Sequence, residues 1–214
     1  MLVGDSTSLA YTQAIRTIGQ IAGWTVIMRA MFGCPFVDIS IANNAAGIVE
    51  ACGPHNAAAI DYITQTAPDI VIVTDTYEPR TDNSTSKQVT SAEWSAGLTT
   101  YLERIVPAVG DVIVLAPPPS SMNVQNCYTP QSAPADCMTK VTEQWLATSR
   151  TEASVADTLG ATYVDSRDLF CVSGYCPAFV GTVPVKLDLV HITSDYATKV
   201  APALLELLST SPAA

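Results

Sequence analysis

Two short stretches at opposite ends of the chain carry residues able to do nucleophilic chemistry. The first is Gly4-Asp5-Ser6, near the start. The second is KLDLVH, where Asp188 stands three residues before His191. A serine hydroxyl is a weak nucleophile and needs an adjacent base. An imidazole can be that base, and a carboxylate on its other nitrogen fixes the tautomer that leaves Nε2 free to take the serine proton. Asp-x-x-His on one tight turn can supply the pair. The second histidine, His55, follows Cys52-Gly53-Pro54, which reads as a helix start. Ser6 or Thr7 could instead be a plain N-cap. A serine at that place, however, also sits among the free N–H groups and partial positive charge of a helix start, which suit an oxyanion.

These residues need a scaffold, and the chain reads as alternating strand and helix. Apolar runs at the start (MLVG), at Asp69–Thr74 (DIVIVT), at Asp111–Ala116 (DVIVLA) and at Thr162–Asp165 read as buried strands, and Trp24–Arg29 is β-rich. Helical spacing covers Ser8–Ala22 (Leu9, Ile15, Ile18, Ile21), Pro54–Ala67, Ser91–Val106, Thr139–Leu159 and Ser194–Leu208. Short apolar strands alternating with helices predict an α/β domain with a parallel sheet covered on both faces. In such sheets sites form at the carboxyl ends of the strands, where Ser6 falls. One domain over residues 1–214 is expected.

Composition removes several functions. Twenty acidic residues against ten basic ones give a net charge of −10, which leaves no basic patch for nucleic acid. No apolar run is long enough to span a bilayer, and no signal peptide precedes the first strand. Asn83-Ser84-Thr85 matches a glycosylation sequon and reads as a solvated loop. The six cysteines lack C-x-x-C spacing and have only two histidines for company, so no metal site and no cofactor are expected. Their even number suggests disulfides and an oxidising compartment. Loop closure favours neighbours: Cys34–Cys52, Cys127–Cys137 and Cys171–Cys176. The alternative is six reduced thiols. Disulfides without a signal peptide suggest that an export signal or membrane anchor lies upstream of Met1.

GDST after the first strand, with D-x-x-H before the last helix, resembles the SGNH (GDSL-type) hydrolase superfamily over essentially the whole chain. The resemblance implies a flavodoxin-like, three-layer α/β/α fold with a five-stranded parallel sheet. It implies Ser6 as nucleophile, His191 as general base and Asp188 as its orienting partner, with Asp5 structural. A narrower likeness lies in CPAFVGTVPVKLDLVHITSDYA, which is similar to SGNH domains fused after membrane-bound acyltransferase-3 proteins. That likeness implies an extracytoplasmic domain tethered to an upstream membrane acyltransferase and acting on acyl groups of cell-surface carbohydrate.

The family's oxyanion hole uses the nucleophile's own N–H, a glycine N–H after the second strand and an asparagine side chain after the third. Ser6 and Gly33 match the first two. At the third place stands Asp75, and an ionised carboxylate accepts hydrogen bonds without donating them. Three outcomes stay open: burial protonates Asp75 so that it donates, Thr76 or Tyr77 supplies the donor, or the site hydrolyses slowly or only beside a partner. Losing one donor costs on the order of 3 kcal/mol of barrier. The expected function is a serine O-acyl esterase or acyltransferase, monomeric as an isolated domain, with an acylated carbohydrate or other acyl donor as partner. The alternative is a carbohydrate-binding or docking module with a crippled site. Trp94, Trp145, Tyr77 and Tyr128 could stack on sugars or fill the core. Non-reducing peptide mapping is expected to join Cys171 to Cys176; a link from Cys171 to Cys34 would overturn the local pairing.

Overall fold

The computed structural model describes residues 1–210; the last four residues of the expected domain lie outside the described residues. Five parallel strands form the central sheet: β1 (Leu2–Gly4), β2 (Met28–Ala30), β3 (Ile70–Thr74), β4 (Asp111–Leu115) and β6 (Thr162–Val164), in the order β2-β1-β3-β4-β6. This is the doubly wound, flavodoxin-like order, and its strand order reverses at β1. The helices are α1 (Ser6–Ala22), α2 (Ile48–Thr66), α3 (Ser91–Ile105), the short α4 (Val124–Cys127), α5 (Glu143–Leu159) and α6 (Ser194–Thr210). None of them is long and apolar enough to cross a membrane.

Alternation along the strands makes the three layers. Leu2, Ile72, Ile113 and Leu115 face one way and pack with α1 and α6. Val3, Val71, Val73, Val112 and Val114 face the other way and pack with α2, α3 and α5. Strands buried on both faces therefore read as unbroken apolar runs.

Local signals set most helix ends. Asp5 caps α1, accepting from Thr7 N, and Gly23 ends it in a left-handed turn at φ 73°. Thr90 and Glu93 form a capping box on α3. Several expected boundaries move. Of the β-rich stretch Trp24–Arg29 only Met28 and Arg29 are in a strand, which pairs with β1 in register from Leu2 to Gly4. Helix α2 begins at Ile48 and runs through Pro54, which forfeits one internal hydrogen bond. The turn around Pro54 is anchored from outside: Cys52 is disulfide-bonded to Cys34, and Asn56 donates to Pro35 O at 2.9 Å. His55 thus lies inside a helix. The expected helix from Thr139 starts only at Glu143, because Thr139–Lys140 (β5) pairs antiparallel with Tyr175–Cys176 (β7) and Thr142 becomes the N-cap. On α1, Ile15 and Ile18 are buried as expected, but Leu9 and Ile21 are 41% and 56% exposed.

All three neighbouring disulfides are present: Cys34–Cys52, Cys127–Cys137 and Cys171–Cys176. The second staples the long loop after β4. A small hairpin, β8 (Phe179–Val180) and β9 (Val183–Pro184), leads into the segment carrying Asp188 and His191. Trp94, Trp145 and Tyr77 are core residues, whereas Tyr128 is exposed and lies 5.5 Å from the Phe179 ring.

Glu152 of α5 is buried, accepting from Tyr77 OH at 2.7 Å and Trp94 Nε1 at 2.8 Å. Burial pushes its carboxyl up to about 7 against the pull of those donors. The folded state therefore holds more protons than the unfolded chain between these values, and stability falls as pH rises through about 5 to 7. Glu152→Gln can keep both hydrogen bonds without a charge. Its Tm should decline less than that of the parent over this window; equal pH slopes would show that Glu152 does not titrate there.

Candidate active site

The first strand ends in a turn that only its own residues can make. Gly4 has φ 129°, and a Cβ there would collide with the Thr74 carbonyl and the Ser8 hydroxyl. The close approach lets β1 hand over to α1 directly beside the end of β3. Asp5 then caps α1, which puts Ser6 at the first helical position, where its N–H has no acceptor inside the helix.

The other end of the chain meets it there. Helix α6 packs along α1, and the loop before α6 brings His191 Nε2 to 2.8 Å from Ser6 Oγ. His191 Nδ1 lies 2.7 Å from Asp188 Oδ2. A carboxylate only accepts, so Nδ1 carries the proton and Nε2 is left to accept from the serine. The second oxygen of Asp188, Oδ1, accepts from the N–H groups of Val190 and His191, each at 2.9 Å. Partial burial pushes the Asp188 carboxyl up, but the ring and backbone donors outweigh it and hold it below its ordinary value. Ser6, His191 and Asp188, expected from sequence, are thus in one hydrogen-bonded row.

Gly33 lies in the turn after β2, the strand beside β1. Met31 N donates to Gly4 O at 3.0 Å, and Cys34 N closes the turn on Met31 O at 3.1 Å. Gly33 has φ 69°, and a Cβ there would collide with the Asn43 amide nitrogen. The Asn43 Oδ1 is held by Ala45 N. The turn is tied to α2 through Cys34–Cys52. The N–H groups of Ser6 and Gly33 therefore follow adjacent strands at one sheet edge.

Asp75 differs from the oxyanion-hole donor expected of its position. It is 3% exposed, and both its oxygens are acceptors: Oδ1 from Asp5 N at 2.7 Å, Oδ2 from Phe36 N at 3.0 Å. It is a brace between three loops. Burial pushes its carboxyl well above the usual carboxylate range, and the charge of Asp5 pushes the same way, against these donors. Asp5 is itself structural, as expected, accepting from Thr7 N, Thr76 N and the Arg80 guanidinium, the last at 2.6 Å. Of the other donors considered for this place, two are engaged elsewhere, and the Thr76 hydroxyl accepts from Glu78 N at 3.3 Å. Thr76 N–H is used by Asp5, and the Tyr77 hydroxyl lies against Glu152. Sequence reasoning missed Arg80 and Phe36 N, since nothing in EPR or CPF signals a partner for a buried acid.

A groove of ≈ 380 Å³ runs beside the Ser6 hydroxyl, lined by Ser6, Leu9, Ala10, Gln13, Leu187 and His191 among others. Leu187 is 65% exposed.

Solved structures with this architecture carry related chemistry in their names. The periplasmic domain of a lipopolysaccharide acetyltransferase from Salmonella ser. Paratyphi A superposes with a TM-score of 0.70 at 17% identity, over 95% of this chain and 82% of that one. A variant of an acetyl-xylooligosaccharide esterase from Geobacillus stearothermophilus gives 0.59 at 14% identity, over 98% and 93%. A carbohydrate acetylesterase from Sinorhizobium meliloti gives 0.54 at 14% identity, over 94% and 84%. At such identities the likeness shows the fold alone. No curated protein matches the chain in sequence. The model of the SGNH domain that is fused to acyltransferase-3 (AT3) domains matches residues 1–206. With a match across nearly the whole chain, and the five-stranded SGNH fold beneath it, this protein belongs to the SGNH domain family fused to AT3 domains.

Proposed function

We propose that this domain is a serine O-acyl esterase or acyltransferase acting on acyl groups of cell-surface carbohydrate. The observation that carries this reading is the row Ser6–His191–Asp188, closed at 2.8 and 2.7 Å across a sequence separation of 185. Ser6 Oγ attacks the acyl carbonyl carbon while His191 Nε2 takes its proton. The oxyanion so formed is met by the N–H groups of Ser6 and Gly33. The bond from the carbonyl carbon to the sugar oxygen then breaks, and His191 returns the proton to that oxygen as the alcohol leaves. Water or a second hydroxyl attacks the acyl-enzyme by the same route in reverse. Support for carbohydrate comes from the names of the structural neighbours, which include a lipopolysaccharide acetyltransferase and a carbohydrate acetylesterase. The periplasmic setting of the first and the three disulfides favour an extracytoplasmic site of action beside an AT3 membrane domain of the same chain.

A second reading, a binding or docking module, is favoured by one observation: Asp75 is occupied as a double acceptor, so the third oxyanion donor of the family is missing from its usual place. Hydrolysis of p-nitrophenyl acetate by the parent and by Ser6→Ala separates the two. Turnover that falls at least about a hundredfold in the variant supports the esterase; equal background rates would support the module. Asp75→Asn gives a second test. Asparagine keeps one acceptor but turns an amide N–H toward a backbone N–H, at a cost of about 1–3 kcal/mol. Tm and turnover should both fall. A rise in turnover would mean that the carboxylate opposes the oxyanion directly.

A further inference from the structure

The segment after β4 reads Ala116-Pro117-Pro118-Pro119-Ser120-Ser121. Three successive prolines offer no N–H, so the middle of this strap meets its surroundings only as an acceptor. Side chains from four directions meet its carbonyls. Ser166 Oγ donates to Ala116 O at 2.7 Å, Trp145 Nε1 to Pro117 O at 3.1 Å, Lys186 Nζ to Pro119 O, and Thr139 Oγ1 to Ser120 O at 3.4 Å. Lys186 is the charged donor of the four, and it is 3% exposed.

Lys186 stands two residues before Asp188. Beyond Asp188 the strap makes a second attachment, from Ser121 N to Leu189 O at 2.8 Å. The loop carrying Asp188 is thus gripped on both sides by one stiff segment. The Ser120 hydroxyl bonds Glu78, which fastens the strap to the segment after β3. A lysine at this depth is costly to bury. Burial pushes its ammonium down to about 7, against the pull of Glu78 and Asp188, the charged groups that face it. An apolar side chain would fill the space at less cost but would leave the Pro119 carbonyl without a donor.

We propose that Lys186 is a positioning residue of the triad, holding Pro119 so that the loop presents Asp188, and through it His191, to Ser6. The proposal rests on the esterase reading for its catalytic meaning, but its geometry can be tested without turnover. The amides of Val190 and His191 both donate to Asp188 Oδ1, so their hydrogen exchange reports whether Asp188 is in place. In Lys186→Met these two amides should exchange about tenfold faster or more, with those of α6 unchanged. If the parent shows Ser6-dependent hydrolysis, kcat should fall about tenfold while KM stays within about twofold. Lys186→Arg or Lys186→Gln, which keep a donor, should recover part of the loss. Unchanged protection at Val190 and His191 in Lys186→Met would overturn the proposal. Faster exchange throughout the chain would overturn it too, reducing Lys186 to a general contributor to stability. Absence of Ser6-dependent turnover in the parent would sink the esterase reading instead, and the exchange comparison would still decide the role of Lys186.

Discussion

The site depends on a buried carboxylate that never faces it. Asp75 gives one oxygen to the backbone of Asp5 and the other to the backbone of Phe36, joining the ends of three neighbouring strands with one side chain. Asp5 returns the favour by accepting from Thr76 N, and Arg80 neutralises it from the solvent side. Two acids side by side in the core would repel one another in water-free surroundings. They coexist because backbone N–H groups and one guanidinium surround them. Without this knot the turn that exposes Ser6 and the turn that holds Gly33 would be separate surface loops. The knot also explains why Gly4 is obligatory, since any side chain there would strike the Thr74 carbonyl that lies against it.

Above the knot the reacting groups are shallow. The Asp188 side chain is 43% exposed and the His191 side chain 25%. The groove at Ser6 is open along one side. An acyl-enzyme formed here would be within reach of water, and transfer to another hydroxyl would require that alcohol to be held close to His191. Leu9 and Leu187 form an apolar ledge beside Ser6. Exposure of these two leucines beside a nucleophile is the opposite of what core-packing periodicity predicts for Leu9.

Much of this was legible before any coordinates. Buried strands read as DIVIVT and DVIVLA, because strands covered on both faces need apolar residues at every position. That Ser6, Asp188 and His191 come together was legible because their residue types and spacing match a family pattern, and the fold brings them within hydrogen-bond reach. The cysteine pairs followed from short loops. What escaped was set by tertiary partners. Asp75 looked like a faulty oxyanion donor because its two backbone donors, at positions 5 and 36, leave no trace in the sequence. Helix α2 crosses Pro54 because a disulfide and Asn56 hold that turn from outside, which local propensity does not register. The contact of Lys186 with the tri-proline strap leaves no local signal in the sequence, because the two meet across 67 residues.

Ser6 and His191 are separated by 185 residues and meet only when α6 packs along α1. During synthesis the serine precedes the histidine by about 10–40 s at ordinary elongation rates. A nascent chain that has not reached position 191 has no imidazole for Ser6. The loop that must close is nearly the length of the domain, which places this contact among the most entropically demanding in the fold. The Ser6–His191 bond therefore forms only after α6 is made, and until then the serine lacks its imidazole partner.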